Sequence, residues 1–307
     1  MHFDTPLVAS TSFNARRIED IGAILDELMG LGFERIELGY LVASQLARLE
    51  DELASRGMAV QSVHNPAPWP VRSDGVRLVG SPMDTLASPD ETRRRWMLDL
   101  SKRTIDYAQG LGALAVVIHL GQTEIPLPQS ELFDLLAAGR LEEMRSLRDE
   151  LLAARERIKR PYIDAALLSI RELGEHAIGS GLRLGVETRD QYHEVATIDD
   201  LDEVLAATQG LPVGYWHDVG HVEKQRQLGI ATHEDWVRRH GARIVGAHIH
   251  DTVLERDHLA PGRGNTDFAE IARLLPPNTL RTLELGTRPT LDEAREGIAL
   301  LSRVGLA

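Results

Sequence analysis

Short apolar stretches alternate along the chain with longer stretches that carry helical periodicity or charged faces. Residues 113–118 form a continuous apolar run, which is typical of a strand buried on both faces. Together with seven other short stretches, it is predicted as a strand. The eight predicted strands are residues 6–10, 34–39, 58–64, 113–118, 182–186, 212–216, 243–247 and 280–284.

The segments between these strands predict helices at residues 15–29, 44–55, 89–109, 162–178, 198–207 and 291–304, with two more near Leu228 and Trp236. Eight strands that alternate with helices predict an α/β fold, a closed parallel (β/α)8 or TIM barrel, in a single domain of residues 1–307. Trp216 lies within a predicted strand, so we expect it to pack inside the barrel. A doubly wound open sheet is the alternative, but no glycine-rich turn for dinucleotide binding follows the first strand.

One segment exceeds what a barrel crossover needs. Residues 132–157 are charged and amphipathic, and they predict a helical insertion of about residues 128–160 between strands 4 and 5. The favoured interpretation is an extra helix that covers the barrel's edge or forms a subunit contact in a homo-oligomer. The alternative is a lid over the functional site.

A polar or charged side chain stands at or near the carboxyl end of seven predicted strands. Any one of them has an ordinary explanation, such as a helix cap or a core histidine bonded to a backbone carbonyl. In a barrel, however, these strand ends meet at one mouth, where active sites are built. The seven residues are Glu37, His64, His119, Glu187, Asp218, His248 and Glu284.

Residues 246–264, GAHIHDTVLERDHLAPGRG, hold the densest group of chemical side chains. His248 and His250 share one face at the tip of a strand, because side chains alternate along it. Asp257 and His258 follow in the next loop, which ends in a Pro-Gly-Arg-Gly turn. Burying so many imidazoles and carboxylates is unfavourable without a purpose, so a metal or proton-transfer site is the hypothesis.

The composition limits the partners, the cellular location and the kinds of chemistry that are expected. The net charge of -13 disfavours a nucleic-acid partner, and the absence of cysteine excludes disulfides, thiolate metal sites and a cysteine nucleophile. The first residues lack the pattern of a signal peptide and no apolar stretch is long enough for a membrane span, so a cytoplasmic location is expected. Only three lysines are present, which argues weakly against a Schiff-base mechanism.

Three carboxylates and one imidazole suit a single divalent cation. An imidazole beside oxygen donors favours Mn²⁺ or Zn²⁺ over Ca²⁺, with Mg²⁺ and Co²⁺ as further options. His221 stands three residues after Asp218 and is a candidate for binding substrate hydroxyls or a second metal. The four candidate ligands are Glu187, Asp218, His248 and Glu284.

The segments VHNP, IHLG, VETRD, HDVGH, HIHD, HLAPGRG and LELG resemble the xylose-isomerase-like TIM-barrel superfamily, and within it the sugar phosphate isomerase/epimerase branch. The resemblance covers nearly the whole chain except the insertion and is most specific over residues 185–286. It implies a metal-dependent isomerase or epimerase of carbohydrate metabolism, which acts on a sugar, a sugar phosphate or a polyol ketone. Proton transfer would pass through a metal-stabilised enediolate.

The resemblance also implies roles for single residues. The four candidate ligands would hold the metal, and Glu187 and Glu284 would also be the catalytic acid/base pair. His248 rather than His250 is assigned as the ligand, because Asp251 stands where the family's acidic residue follows its metal-binding histidine. The remaining candidates for substrate binding or a second metal are Glu37, His64, His119, His221, His250, Arg256 and His258.

Three alternatives stay open. Type IV apurinic endonucleases share this fold and use three zinc ions, but Arg256 stands where they would carry an aspartate, and a guanidinium cannot ligate a metal. Such an arginine could hold a substrate phosphate or carboxylate instead. An inosose-type dehydratase uses the same enediolate chemistry. A barrel kept only as a metal-binding or assembly protein would not need seven polar strand ends.

Overall fold

The computed structural model describes residues 3–78, 85–125 and 129–307. Eight parallel strands close into a barrel in which each strand pairs with the next along the chain and the last pairs with the first. The predicted (β/α)8 barrel is therefore confirmed. Its strands are β1 (Leu7–Ser10), β2 (Arg35–Leu38), β3 (Ala59–His64), β4 (Ala115–Ile118), β5 (Arg183–Glu187), β6 (Val213–Asp218), β7 (Ile244–Ile249) and β8 (Leu280–Leu283).

Helices surround the barrel, and several of them begin at a side-chain cap. Asp20 accepts a hydrogen bond from the Ala23 amide at 2.9 Å, and this fixes the start of the first helix. Within the described ranges the helices are α1 (Ile21–Met29), α2 (Ala43–Leu46), α3 (Leu49–Arg56), α4 (Glu91–Gly110), α5 (Ser130–Ala137), α6 (Leu141–Ile158), α7 (Arg160–His176), α8 (Ile198–Ala207), α9 (Val219–Gln227), α10 (His233–His240), α11 (Phe268–Leu274) and α12 (Leu291–Val304). None of them is both long enough and apolar enough to cross a membrane.

The main hydrophobic core lies between the outer faces of the strands and the ring of helices. Ile24 of α1, Leu98 of α4, Ile170 of α7 and Trp236 of α10 are all buried in it. Burying a large apolar side chain of this kind stabilises the fold by about 1.5–3 kcal/mol. The helices therefore fix the spacing of the strands that carry the polar ends.

The barrel interior is packed around Trp216 of β6. A Cβ atom on Gly185 or Gly246, in the two flanking strands, would lie only 2.8 Å or 2.3 Å from the indole, so glycine is required at both positions. The indole is buried and packs with Val117 and Val245. The centre of its ring lies 5.2 Å from that of the His248 ring. This apolar cluster, which we call the apolar plug, therefore lies directly below the polar residues at the carboxyl ends of the strands. The expectation that Trp216 packs inside the barrel is confirmed.

The insertion between β4 and β5 contains α5 and α6. Their buried residues, including Phe133 and Leu151, form a hydrophobic cluster of their own with Tyr192 from the loop after β5. Arg155 of α6 is buried and forms an ion pair with Asp200 in the first turn of α8. These contacts attach the insertion to the barrel wall; its predicted start near residue 128 lies outside the described residues.

Candidate metal centre

The predicted polar strand ends lie together at the carboxyl-end mouth of the barrel. His64, Glu187 and Asp218 are the last residues of β3, β5 and β6. His119 and Glu284 directly follow β4 and β8. All seven strand-end candidates except His119 are buried, so their hydrogen-bonding groups depend on each other rather than on water.

The centre of this group is the Nδ1 atom of His248, which is buried and has no hydrogen-bond partner. Three carboxylate oxygens face it, at 3.0 Å from Glu284, 3.4 Å from Asp218 and 3.7 Å from Glu187. An unpartnered imidazole nitrogen surrounded by carboxylates matches the donor set of a divalent cation. The four residues predicted as metal ligands therefore converge on one point.

The other nitrogen of His248 determines which atom faces the carboxylates. Its Nε2 lies 3.1 Å from Oε1 of Glu37, which is fully buried on β2. The Oε2 atom of Glu37 in turn accepts hydrogen bonds from Ser62 at 2.8 Å and Thr282 at 3.3 Å. A carboxylate held in this way keeps the proton on Nε2 and leaves the Nδ1 lone pair available, as is typical of metal-bound histidines.

A second group lies on the side of β3 and β4. The Nε2 atoms of His64 and His119 are 3.4 Å and 2.9 Å from Oε2 of Glu187. Arg189 Nη1 lies 2.7 Å from the same nitrogen of His119 and 3.4 Å from Glu187 Oε1. The carboxylate of Glu187 thus joins the four-residue centre to a further set of donors that could hold a metal.

A third group consists of His221, His250 and His258. His221 donates from Nδ1 to the Thr188 carbonyl at 2.9 Å, which leaves its Nε2 available. His258 has a left-handed backbone, with φ of 52°, and a buried Nδ1 without a hydrogen-bond partner.

Both nitrogens of His250 are already engaged. Its Nδ1 accepts the backbone N–H of His258 at 2.9 Å, so its Nε2 carries the proton. That proton is donated to Asp218 Oδ1, also at 2.9 Å. His250 therefore orients a candidate ligand rather than adding a free donor of its own.

The imidazoles around the centre keep the carboxyl groups ionised. Burial by itself would raise the pKa of Glu187, but the neighbouring imidazoles of His119 and His248 outweigh it and hold that pKa well below its ordinary value. The pKa of Glu284 is lowered as well, because the neighbouring imidazole of His248 outweighs burial. Ionised carboxylates are the form that binds a cation.

The Pro-Gly-Arg-Gly turn is held by Asp251. Its Oδ2 accepts the backbone N–H groups of Gly262 at 2.8 Å and Gly264 at 2.7 Å, and its Oδ1 accepts that of Thr266 at 3.1 Å. A Cβ atom on Gly264 would lie 2.4 Å from the Thr252 carbonyl oxygen, so the backbone approach requires glycine. The motif fixes the loop that starts with His258.

The sequence pattern did not single out three residues that the structure brings to the mouth: Tyr40, Arg189 and Lys224. Lys224 Nζ donates to Asp190 and, at 3.0 Å, to Asp257. The sequence spacing could have indicated Lys224, because this residue follows His221 by three positions and therefore lies on the same face of the helix. Arg256, by contrast, is exposed at the rim, on the short strand Arg256–Leu259.

Fold and site together define an α/β barrel with a histidine–carboxylate cluster at its carboxyl-end mouth. Residues 25–304 match the family described as xylose isomerase-like TIM barrel. The chain belongs to this family, as the sequence motifs predicted.

One protein is similar in sequence, and several solved structures share this fold. A protein of Sinorhizobium fredii, itself uncharacterised, is 24% identical over 236 residues, which are 75% of this chain and 66% of that relative. An L-ribulose 3-epimerase superposes with a TM-score of 0.68 at 15% identity, over 99% of this chain and 95% of the other. A D-psicose 3-epimerase from Clostridium cellulolyticum, solved with D-tagatose, gives 0.68 at 14% identity, over 99% and 100%. A 3-keto-D-glucoside 4-epimerase from E. coli gives 0.66 at 14% identity, over 97% and 98%.

Proposed function

We propose that the protein is a metal-dependent isomerase or epimerase of a sugar or sugar-derived ketone. The observation that carries this proposal is the convergence of Glu187, Asp218 and Glu284 on the unpartnered Nδ1 of His248. The solved structures with the same fold include epimerases whose names specify ribulose, psicose and a ketoglucoside as substrates, which makes ketoses the first compounds to test.

The cation would be held by Glu187, Asp218, His248 and Glu284. Mn²⁺ and Zn²⁺ suit this mixture of imidazole and oxygen donors, and Mg²⁺ and Co²⁺ are further options. When bound, such an ion supplies Lewis acidity that stabilises negative charge on substrate oxygens.

Glu187 and Glu284 are the proposed acid/base pair. They come from strands that are three positions apart in the barrel, and both carboxylates face the same imidazole nitrogen. A substrate carbon placed between them could lose a proton to one carboxylate. Return of a proton to the neighbouring carbon, with transfer of the hydroxyl proton from one substrate oxygen to the other, gives isomerisation, whereas return to the opposite face of the same carbon gives epimerisation.

Replacing either glutamate tests the pair. In Glu187→Gln and Glu284→Gln, an amide cannot take up a proton, so we expect kcat on a responsive ketose to fall by at least about a hundredfold. Circular dichroism should show an unchanged fold. The exposed variant Glu234→Gln on α10 is the matched control and should keep full activity. Near wild-type turnover in either site variant would remove that glutamate from the mechanism.

The metal content of the purified protein is the second test. Elemental analysis should find about one divalent ion per chain. A protein that neither contains nor binds a divalent ion would contradict the proposal.

A multi-zinc phosphodiesterase related to apurinic endonucleases is the alternative. It is favoured by the His64–His119–Glu187 group, whose ligand atoms lie within 4.8 Å of one another. It is disfavoured by Arg256 and by the net charge of -13, which repels DNA. Two or three zinc ions per chain, together with cleavage of abasic DNA, would favour this alternative over an isomerase. A dehydratase is distinguished by a product that has one molecule of water less than the substrate.

A further inference from the structure

A cavity of about 380 Å³ opens beside the candidate metal centre, at the carboxyl ends of β7 and β8. His258 lines both the cavity and the metal centre, since its Nε2 lies 3.8 Å from Oε2 of Glu284. The His258 carbonyl accepts the Gly286 amide at 3.0 Å, and this bond fixes the two cavity-forming loops to each other. The cavity therefore adjoins the metal centre at His258.

Three arginines line the cavity: Arg16, Arg256 and Arg288. They come from the loops after β1, β7 and β8, so the barrel brings them together from distant parts of the sequence. None of the three has an ion pair with a carboxylate of the described residues, although most other arginines there do. The chain as a whole has a net charge of -13, whereas this cavity is lined by three guanidinium groups that no ion pair within the described ranges neutralises.

The acidic residues of the cavity do not cancel this charge. Asp257 shares Lys224 with Asp190, so one of these two negative charges remains. Glu255 is exposed and is the one other carboxylate of the lining. The guanidinium groups thus exceed the available carboxylates within the cavity.

Arg16 is held in place by an aromatic ring. Its guanidinium carbon lies 4.8 Å from the centre of the Tyr40 ring, which in turn contacts Trp69 with 4.4 Å between ring centres. Stacking of this kind leaves the N–H groups at the edge of the guanidinium free to donate hydrogen bonds.

We propose that this cavity binds an anionic group, a phosphate or a carboxylate, at the end of the substrate remote from the reacting carbons. Guanidinium groups bind both kinds of oxyanion through paired, charge-assisted hydrogen bonds. The proposal rests on the proposed function, and it narrows the substrate from ketoses in general to ketoses that carry a terminal negative charge.

The test compares three sugars with one carbon skeleton: D-fructose, D-fructose 6-phosphate and D-fructuronate. Binding to the metal-loaded protein is measured by calorimetry, and turnover is measured separately. We expect the phosphate or the carboxylate to bind at least about tenfold more tightly than the neutral sugar, and which of the two binds identifies the group. In Arg256→Ala/Arg288→Ala this preference should disappear, while the exposed variant Arg273→Ala on α11 should retain it.

Equal binding of all three sugars, no detectable binding of either anionic sugar, or a preference that survives in the double variant would each overturn the proposal. Both arginines are exposed, so the double variant should fold, and its melting temperature checks this. Preferential binding without turnover of any ketose would support the anion cavity and count against the proposed isomerase. Turnover of neutral ketoses with no preference for an anionic sugar would support the proposed isomerase and contradict the anion cavity.

Discussion

At the scale of single residues, Glu37 decides what His248 can do. A neutral imidazole carries one proton, and the position of that proton determines which nitrogen can bind a metal. The buried carboxylate of Glu37, 3.1 Å from Nε2, draws the proton to that side. The lone pair of Nδ1 then faces Glu187, Asp218 and Glu284.

Glu37→Gln tests this role. The amide nearly keeps the shape of the side chain but removes its charge, so the proton on Nε2 is held less firmly. We expect the affinity for Mn²⁺ to fall about 10–100-fold, as is typical when the partner of a metal-bound histidine is lost. Calorimetric titration of the metal-free protein measures it.

Ser62→Ala is the matched control, because Ser62 donates to Glu37 at 2.8 Å and is not itself a hydrogen-bond partner of His248. It should reduce the affinity much less. If Glu37→Gln binds Mn²⁺ as tightly as the wild type, the carboxylate does not set the proton position.

Much of the site could be predicted from the sequence because parallel strands end at the same side of a barrel. Residues such as His64, Glu187 and Asp218 are strand ends, so their proximity follows from the fold alone. Arg189 and Tyr40 could not be found in this way. They reach the mouth through loop conformations, including a left-handed backbone at Tyr40 with φ of 60°, which no periodic pattern encodes.

At the scale of elements, the first turn of α9 packs against the strand end of β7. Gly220 allows this contact, since a Cβ atom there would lie 1.9 Å from Cε1 of His250. The same helix begins at Asp218, whose Oδ1 accepts the His221 amide at 2.7 Å. One helix start therefore positions the candidate ligand Asp218, the candidate substrate-binding residue His221 and the imidazole of His250 that orients Asp218.

Gly220→Ala should break this arrangement. The added methyl group has to displace His250, which removes a hydrogen bond from Asp218. We expect a loss of about 1–3 kcal/mol in the free energy of unfolding, as is usual for overpacking, together with weaker metal binding. Urea unfolding and Mn²⁺ titration measure the two effects.

Gly110→Ala in α4 is the control, because a Cβ atom there meets nothing within 4 Å. It should be neutral or stabilising by up to about 1 kcal/mol. Equal behaviour of the two alanine variants would contradict the tight contact between α9 and His250.

The order of elements was predictable, but their bounds were not. Residues 15–29 were predicted as one helix, whereas α1 starts only at Ile21, because Asp20 caps it and Thr11–Phe13 form a separate 3₁₀ turn. Residues 132–157 were predicted as one helical stretch. Gly139, with φ of 70°, divides it into α5 and α6. Hydrophobic periodicity reports which face is buried, not where the backbone turns.

At the scale of the whole molecule, the barrel gathers three buried carboxylates at one point. The negative charges of these three neighbouring carboxylates repel one another, and the repulsion is strongest where little water screens it. The nearby imidazoles offset part of this repulsion, and a bound cation would offset more. The barrel itself, with its apolar plug at Trp216, resists relaxation of the strand ends away from each other.

Removing the metal should therefore destabilise the whole barrel. A ligand present at 100 times its dissociation constant stabilises the native state by about 2.7 kcal/mol, provided that the unfolded chain does not bind it. We expect chelation to lower the melting temperature by several degrees and re-addition of Mn²⁺ or Zn²⁺ to restore it. In His248→Gln the melting temperature should respond far less to either ion, because the central nitrogen donor is gone. A wild-type melting temperature that is the same with and without metal would mean that no cation holds these three carboxylates together.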